Sequence, residues 1–257
     1  MPTEPELFPM TGEDGEHFRR RLTPEEADRL PYVQRQLLGY FGEPPKRELF
    51  DPLTQFIYCL LSSRTKTELT FAVVRNLRQR FGTWENLRDA PVKEIESAIG
   101  DITFPEQKAL QIKASLEEIT ERFGSLTLDF LARYRTDKIR SWLAQFPGMG
   151  PQTTAAVVNF STLRRKAISV DSHHLRVSQR LGLTPRADAA TTEERLMRLV
   201  PETWSAEMLD EHHQLVKKLG QTICTFEQPK CRQCPLLKIC AYGQREVAAT
   251  EPTSPLG

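Results

Sequence analysis

Residues 143–160 read LAQFPGMGPQTTAAVVNF. One helix should end near Phe146. Pro147, Gly148, Met149 and Gly150 then make a tight turn, and Pro151 sits where proline is best tolerated, in the first turn of a new helix. Glycine takes positive φ without penalty and lets a ligand approach the backbone closely. The fresh helix end offers unpaired N–H groups and partial positive charge, which suit an anion such as phosphate. The segment reads as a helix-hairpin-helix clamp on a DNA backbone or as an αα-corner whose glycines only permit close packing. The turn alone does not choose between them.

Outward from this hairpin the pattern is helical almost throughout. Thr23-Pro24-Glu25-Glu26 is a capping box with proline at the first helical position. Asp51-Pro52 opens a helix whose Leu53, Phe56, Ile57, Leu60 and Leu61 share one face. Ala109, Ile112, Leu116, Ile119 and Phe123 mark another, stopped at Gly124. Thr191-x-x-Glu194 is expected to cap a further helix bearing Leu196, Leu199 and Val200. No alternating strand pattern stands out, so the expected class is all-α with short loops. Residues 1–22 and 243–257 are polar, without apolar period, and read as disordered tails.

Four of the five cysteines, Cys224, Cys231, Cys234 and Cys240, fall in one short segment with the spacing C-x6-C-x2-C-x5-C. Thiolates gathered this tightly suit a soft metal centre. Disulfides fit poorly with an otherwise ordinary intracellular composition. Zinc usually takes paired short knuckles, and only Cys231-x-x-Cys234 is one; spacing does not separate zinc from an iron–sulfur cluster. The fifth, Cys59, follows Tyr58 in an apolar helix and reads as a small buried residue.

The length, 257 residues, suits one large domain or two small ones. No apolar run is long enough to span a membrane, and the acidic, Pro-containing N-terminus is not a secretory signal. These features point to a cytoplasmic protein. A net charge of +1 gives no general attraction to nucleic acid. Local clusters (Arg164, Arg165 and Lys166; Lys217 and Lys218; Lys230 and Arg232) form either a DNA-facing patch or a solvated face.

Downstream of the hairpin runs Ile168-Ser-Val-Asp-Ser-His-His-Leu-Arg-Val177. A P-G-x-G hairpin, then V-D-S-H-x-x-R-V, then the four-cysteine motif, resembles the endonuclease III family of helix-hairpin-helix DNA glycosylases with a [4Fe-4S] cluster. The likeness spans about 45–242 and takes in Leu60-Leu-Ser-Ser-Arg-Thr-Lys66 and Asp210-Glu-His-His-Gln-Leu-Val216. It implies a two-domain, all-α fold: a helical barrel domain over 46–161, and an iron–sulfur domain joining 23–45 to 162–242, with the active site in the cleft between them. It implies a monomer acting on double-stranded DNA with a damaged or mispaired base. The hairpin Pro147–Gly150 would grip the backbone, helped by Lys230 and Arg232. Cys224, Cys231, Cys234 and Cys240 would ligate the cluster.

The resemblance makes Asp171 the catalytic carboxylate. As a bare residue, an aspartate after an apolar run is more often a helix cap, and the two roles can coexist. Gln152 stands where bifunctional members carry a lysine whose amine attacks C1′ of the sugar. An amide nitrogen cannot do this, so a monofunctional glycosylase is expected. A non-catalytic lesion-binding or DNA-structure-binding protein is the alternative. Strand cleavage through a displaced amine, Lys166 or Lys66, is a third reading. Arg64 stands where the family often has a glutamine that fills the gap left by the flipped base, and Tyr58 could line the base pocket. Each has a plainer reading: a surface arginine and a core tyrosine.

Overall fold

The structure is a computed structural model and describes residues 23–249. It falls into two compact units. One is Glu48–Arg165; the other takes in the described residues 23–47 and 166–249. The N-terminal segment 1–22 lies outside the described residues, as do 250–257. Among the described residues there is no strand, only an isolated parallel bridge between Phe50 and Ser161. No described helix is long and apolar enough to cross a membrane.

The second unit opens with α1 (Pro24–Phe41), where the expected capping box is formed. The Glu26 N–H donates to Thr23 Oγ1 at 3.2 Å, and the Thr23 N–H to Glu26 Oε2 at 2.9 Å.

In the first unit, α2 (Pro52–Ser62) is the central helix. Asp51 caps it by accepting the Thr54 N–H at 2.9 Å. Phe56, Ile57 and Leu61 are fully enclosed, as the helical spacing requires. Around it run α3 (Thr67–Phe81), α4 (Trp84–Asp89), α5 (Val92–Ala98) and α6 (Pro105–Phe123), the last ended by left-handed Gly124. Then follow a 3₁₀ turn (Asp129–Arg133), α7 (Thr136–Leu143) and α8 (Pro151–Phe160). Aromatic rings carry the core behind the hairpin: Phe56 on Phe146 at 5.3 Å, Phe146 on Trp142 at 4.9 Å, and Phe123 stacked on Phe130 at 4.3 Å.

Residues 46–47, expected in the first domain, fall in the second unit; residues 162–165, expected in the second domain, belong to the first. Backbone bonds hold them there: Thr162 N–H to Phe50 O at 2.9 Å and Arg165 N–H to Val158 O at 2.8 Å.

The rest of the second unit is α9 (Ser172–Arg180), α10 (Ala189–Leu199), α11 (Ala206–Thr222) and α12 (Ala241–Ala249). It has two cores. One gathers Leu30, Ile168, Val170, Leu196, Trp204 and Leu209. The other includes Val33, Leu37, Val177, Leu215, Leu219 and Cys240, with Cys224 and Cys234 packed on it. The α9–α11 approach is close enough that a Cβ on Gly220 would lie 2.7 Å from His173 Cβ.

Two local expectations are corrected. The cap of α10 is Asp188, which accepts the Thr191 N–H at 2.8 Å, not Thr191; an aspartate three residues earlier is the better acceptor for the open N–H groups. The sequence from 243 onward reads as tail, yet its described part, 243–249, is helix. Its own apolar pattern is weak. Contacts with the cysteine segment hold it: Gln244 N–H to Cys240 O at 3.0 Å, and the Gln244 side chain to Leu237 O and Lys238 O.

Candidate nucleic-acid and catalytic site

The hairpin forms as its residues require. Gly148 has φ 88°, and a Cβ there would come 3.1 Å from Leu60 Cδ2, so this position needs glycine on two counts. Gly150 differs: its backbone is extended and an added Cβ would point into open space. Pro147 is exposed, but Met149 is buried at 3 %. The methionine side chain is thus turned inward, and only its backbone is open to a partner of the turn. No side chain caps the start of α8, where Gln152 is exposed.

Arg64 is exposed, in left-handed backbone at φ 55°. Tyr58 is half-buried and packs on Phe71 at 4.8 Å and Phe50 at 6.1 Å, an aromatic cluster within the unit.

Asp171 is the N-cap of α9. Its Oδ1 accepts the His174 N–H at 2.8 Å. Burial by itself raises this carboxyl. His213, the His174 N–H, the His174 ring and Lys217 outweigh it, and the net is a carboxyl held below its ordinary value. Burial also holds His213 below its ordinary value, with Asp171 pulling the other way. The carboxyl and the imidazole both move downward, each acting on the other. His213 Nδ1 lies 2.9 Å from Ser169 O, and a carbonyl can only accept, so Nδ1 carries the hydrogen.

Two more imidazoles are packed here. His212 Nδ1 sits 2.8 Å from Gln34 Oε1, whose amide is oriented by Glu211. The His174 ring lies 5.5 Å from that of His212 and 6.0 Å from that of His213, and neither of its nitrogens has a hydrogen-bond partner. Burial first, then His213, lowers the His174 pKa to about 3, so it is neutral. A buried ion pair flanks the group. Arg47 Nε donates to both oxygens of Asp210, at 2.9 Å and 3.0 Å.

None of the cysteines is in a disulfide. Cys224, Cys231, Cys234 and Cys240 all line one apolar cavity, with Val177, Leu181, Leu219 and Ile223 behind them. Among the described residues, no three His, Cys, Asp or Glu side chains gather into a cage for a single metal ion. The four thiols share this one cavity. Burial pushes the Cys234 thiol up to about 11, and repulsion from Cys224, Cys240 and Cys231 adds to the rise; Cys231 and Cys240 move the same way. Such thiols ionise only if a cationic centre compensates them. A Cβ on Gly243 would press on Leu237 Cδ1 at 3.2 Å and meet Cys240 Sγ and Cys231 Cβ at ordinary contact distance, 3.5 Å and 3.7 Å. Arg180 donates to Cys224 Sγ at 3.4 Å and to Thr225 O at 2.6 Å. The donor set fits a four-thiolate cluster.

The profile of the HhH-GPD superfamily base excision DNA repair protein matches residues 57–202, more than half of the chain. The chain belongs to this superfamily. It is 31% identical over 197 residues to endonuclease III of Bacillus subtilis (strain 168), covering 76% of this chain and 83% of that one. With endonuclease III of Thermotoga maritima it shares 27% over 202 residues, 79% and 88% of the two chains. Among solved structures, a non-covalent endonuclease III–DNA complex superposes with TM-score 0.70 at 25% identity, covering 89% of this chain and all of that one. A thermostable thymine-DNA glycosylase shares the fold, with TM-score 0.66 at 22% identity.

Against the HhH-GPD pattern, the basic clusters sort unevenly. Arg164 and Arg165 are half-buried and bond carbonyls, Asn159 O at 3.1 Å and Ala132 O at 2.5 Å. They brace the first unit and form no free patch. Lys230 and Arg232 are exposed, Arg232 reaching Val247 O at 3.3 Å. Sequence reading missed Arg176, whose guanidinium bonds Cys224 O at 2.9 Å and Gly220 O at 2.7 Å. Its place in the V-D-S-H-x-x-R-V motif was the available signal. Gly220, a lone glycine inside helical pattern, was a signal of the same kind. Buried His174 left none.

Proposed function

We propose that this protein is a base excision DNA glycosylase that hydrolyses the N-glycosidic bond without a lysine nucleophile. The carrying observation is Asp171: a half-buried carboxylate held ionised and fixed by the His174 N–H. As the C1′–N bond breaks, its electron pair leaves with the base and positive charge builds on the sugar. The Asp171 carboxylate stabilises that charge and orients the water that adds at C1′, whose proton passes to the carboxylate and on to solvent. Such chemistry requires the nucleotide to leave the stack. The uncapped N–H groups of α8 and the glycines of the turn suit a phosphate. Gln152, at the second position of α8, has no basic lone pair to attack carbon.

Lys166 is a weak stand-in, since its amine donates to Glu202 O at 2.8 Å. Cys224, Cys231, Cys234 and Cys240 would hold a [4Fe-4S] cluster. The four thiols share one apolar cavity, and the endonuclease III resemblance favours this cluster over zinc. When bound, that group supplies cationic charge to the thiolates and braces the segment carrying Lys230 and Arg232.

The test is a panel of duplexes carrying damaged or mispaired bases, assayed with and without alkali. Base release with strand breaks only after alkali supports the reading. Efficient borohydride trapping by the unmodified protein would sink it in favour of amine chemistry. Tight lesion binding with no base released from any duplex would favour a non-catalytic reader.

A further inference from the structure

Arg64 and Phe104 have the left-handed φ angles of 55° and 58°, and both are exposed. Their side chains meet, with the guanidinium carbon 5.8 Å from the ring centroid. Side-chain-bearing residues hold such backbone only where the surroundings over-determine it, and that strain tends to sit at functional positions. The surroundings here are specific. Thr103 Oγ1 donates to Arg64 O at 2.9 Å. Beneath the turn lies Lys108, only 4% exposed. Its Nζ donates to Leu61 O at 2.7 Å, Ser63 O at 2.7 Å and Thr65 Oγ1 at 3.1 Å.

An ammonium has three hydrogens, and each finds an acceptor on this one turn. Burial lowers the Lys108 pKa to about 8, which still leaves it charged at neutral pH. Capping the last carbonyls of α2 would not by itself need a buried charge. Three bonds converging on the residues either side of Arg64 fix the path of that residue's backbone.

We propose that Lys108 is a positioning residue: it holds the 62–66 turn so that Arg64 stands pre-set against Phe104, ready to enter the space left by a flipped nucleotide. This rests on the glycosylase reading above.

The experiment measures affinity of the full-length protein for a duplex with one tetrahydrofuran abasic-site analogue, against the same duplex undamaged. Lys108→Met should lower the preference for the gapped duplex about tenfold, while affinity for undamaged DNA barely moves. Arg64→Ala should do the same, and the double variant should lose no more than Arg64→Ala alone. Lys108→Arg, which keeps the cation, should recover part of the loss. A preference unchanged by Lys108→Met, or a double variant losing the product of the two single effects, would overturn the proposal. If Lys108→Met does not fold, Thr65→Val carries the test. Removing one acceptor should cost about threefold in preference, and only when Arg64 is present; no change would overturn it. A wild type indifferent to the gap overturns this proposal and the glycosylase reading together. A wild type that prefers the gap, with the Lys108 variants unaffected, overturns this proposal alone.

Discussion

The two units are built on opposite principles. The first is held by aromatic and aliphatic packing around α2 and contains no histidine. Its buried charge, Lys108, is spent on one turn. The second encloses His174, His212 and His213, the Arg47–Asp210 pair and a cavity ringed by cysteines. A hydrocarbon core gives a rigid frame for a hairpin at little electrostatic cost. Polar burial costs more, and it is tolerated where a carboxylate must be held charged and oriented.

The sharpest way to probe this contrast is Asp171→Asn. Asparagine keeps the cap and the shape but loses the charge, so base release should fall by about 10²-fold or more, while DNA binding survives. Single-turnover release and gel-shift affinity on the same duplex check this. A matched loss of both would mean that Asp171 only caps α9.

Next comes the cysteine cavity. Cys240→Ser removes one of the four thiol donors that line it. It should cost more than about 4 kcal/mol in that unit and abolish stoichiometric iron. Hydrogen exchange should show α9, α11 and α12 loosened and α2 and α8 still protected. Uniform loosening would mean that the two units do not differ in this way.

Acid should separate the units as well. Burial lowers the His174 pKa from 6.5 to about 3, so below pH 6.5 the unfolded chain binds the proton that the folded one refuses. Stability present above pH 6.5 is therefore lost as pH falls towards 3. Between pH 6.5 and pH 5 this amounts to about 2 kcal/mol from one such histidine, and His212 and His213 shift in the same direction. Denaturant midpoints at pH 7 and pH 5 should differ in the wild type, and the difference should shrink in His174→Leu. An equal slope in the variant would remove His174 from the account.

The smallest effect concerns the hairpin glycines. Gly148→Ala forces a side chain into left-handed backbone and against Leu60, costing about 1–2 kcal/mol. Gly150→Ala should leave stability within about 0.5 kcal/mol yet weaken binding to all duplexes alike. Thermal melts and salt-titrated affinities separate the two.

Much of this was legible in the chain. Helices α1, α2 and α6 announced themselves through caps, a first-turn proline and a terminal glycine, which are local signals acting within a few residues. The hairpin and the cysteine spacing are equally local. What stayed hidden was set across long separations. Met149 is buried within the turn, its N–H bonded to Phe146 O at 3.1 Å, although its neighbours in the turn are exposed. Residues 243–249 are helical because the cysteine segment grips them. Arg164 and Arg165 look like part of a basic patch in the sequence, but carbonyls of their own unit take them up. His174 is enclosed beside the rings of His212 and His213 with neither of its nitrogens bonded, and Lys108 found all three of its acceptors on a turn more than 40 residues away. Spacing determines which residues can share a helix face or a metal. Burial and the pairing of buried polar groups depend on which distant segments close over them, and only the tertiary structure decides that.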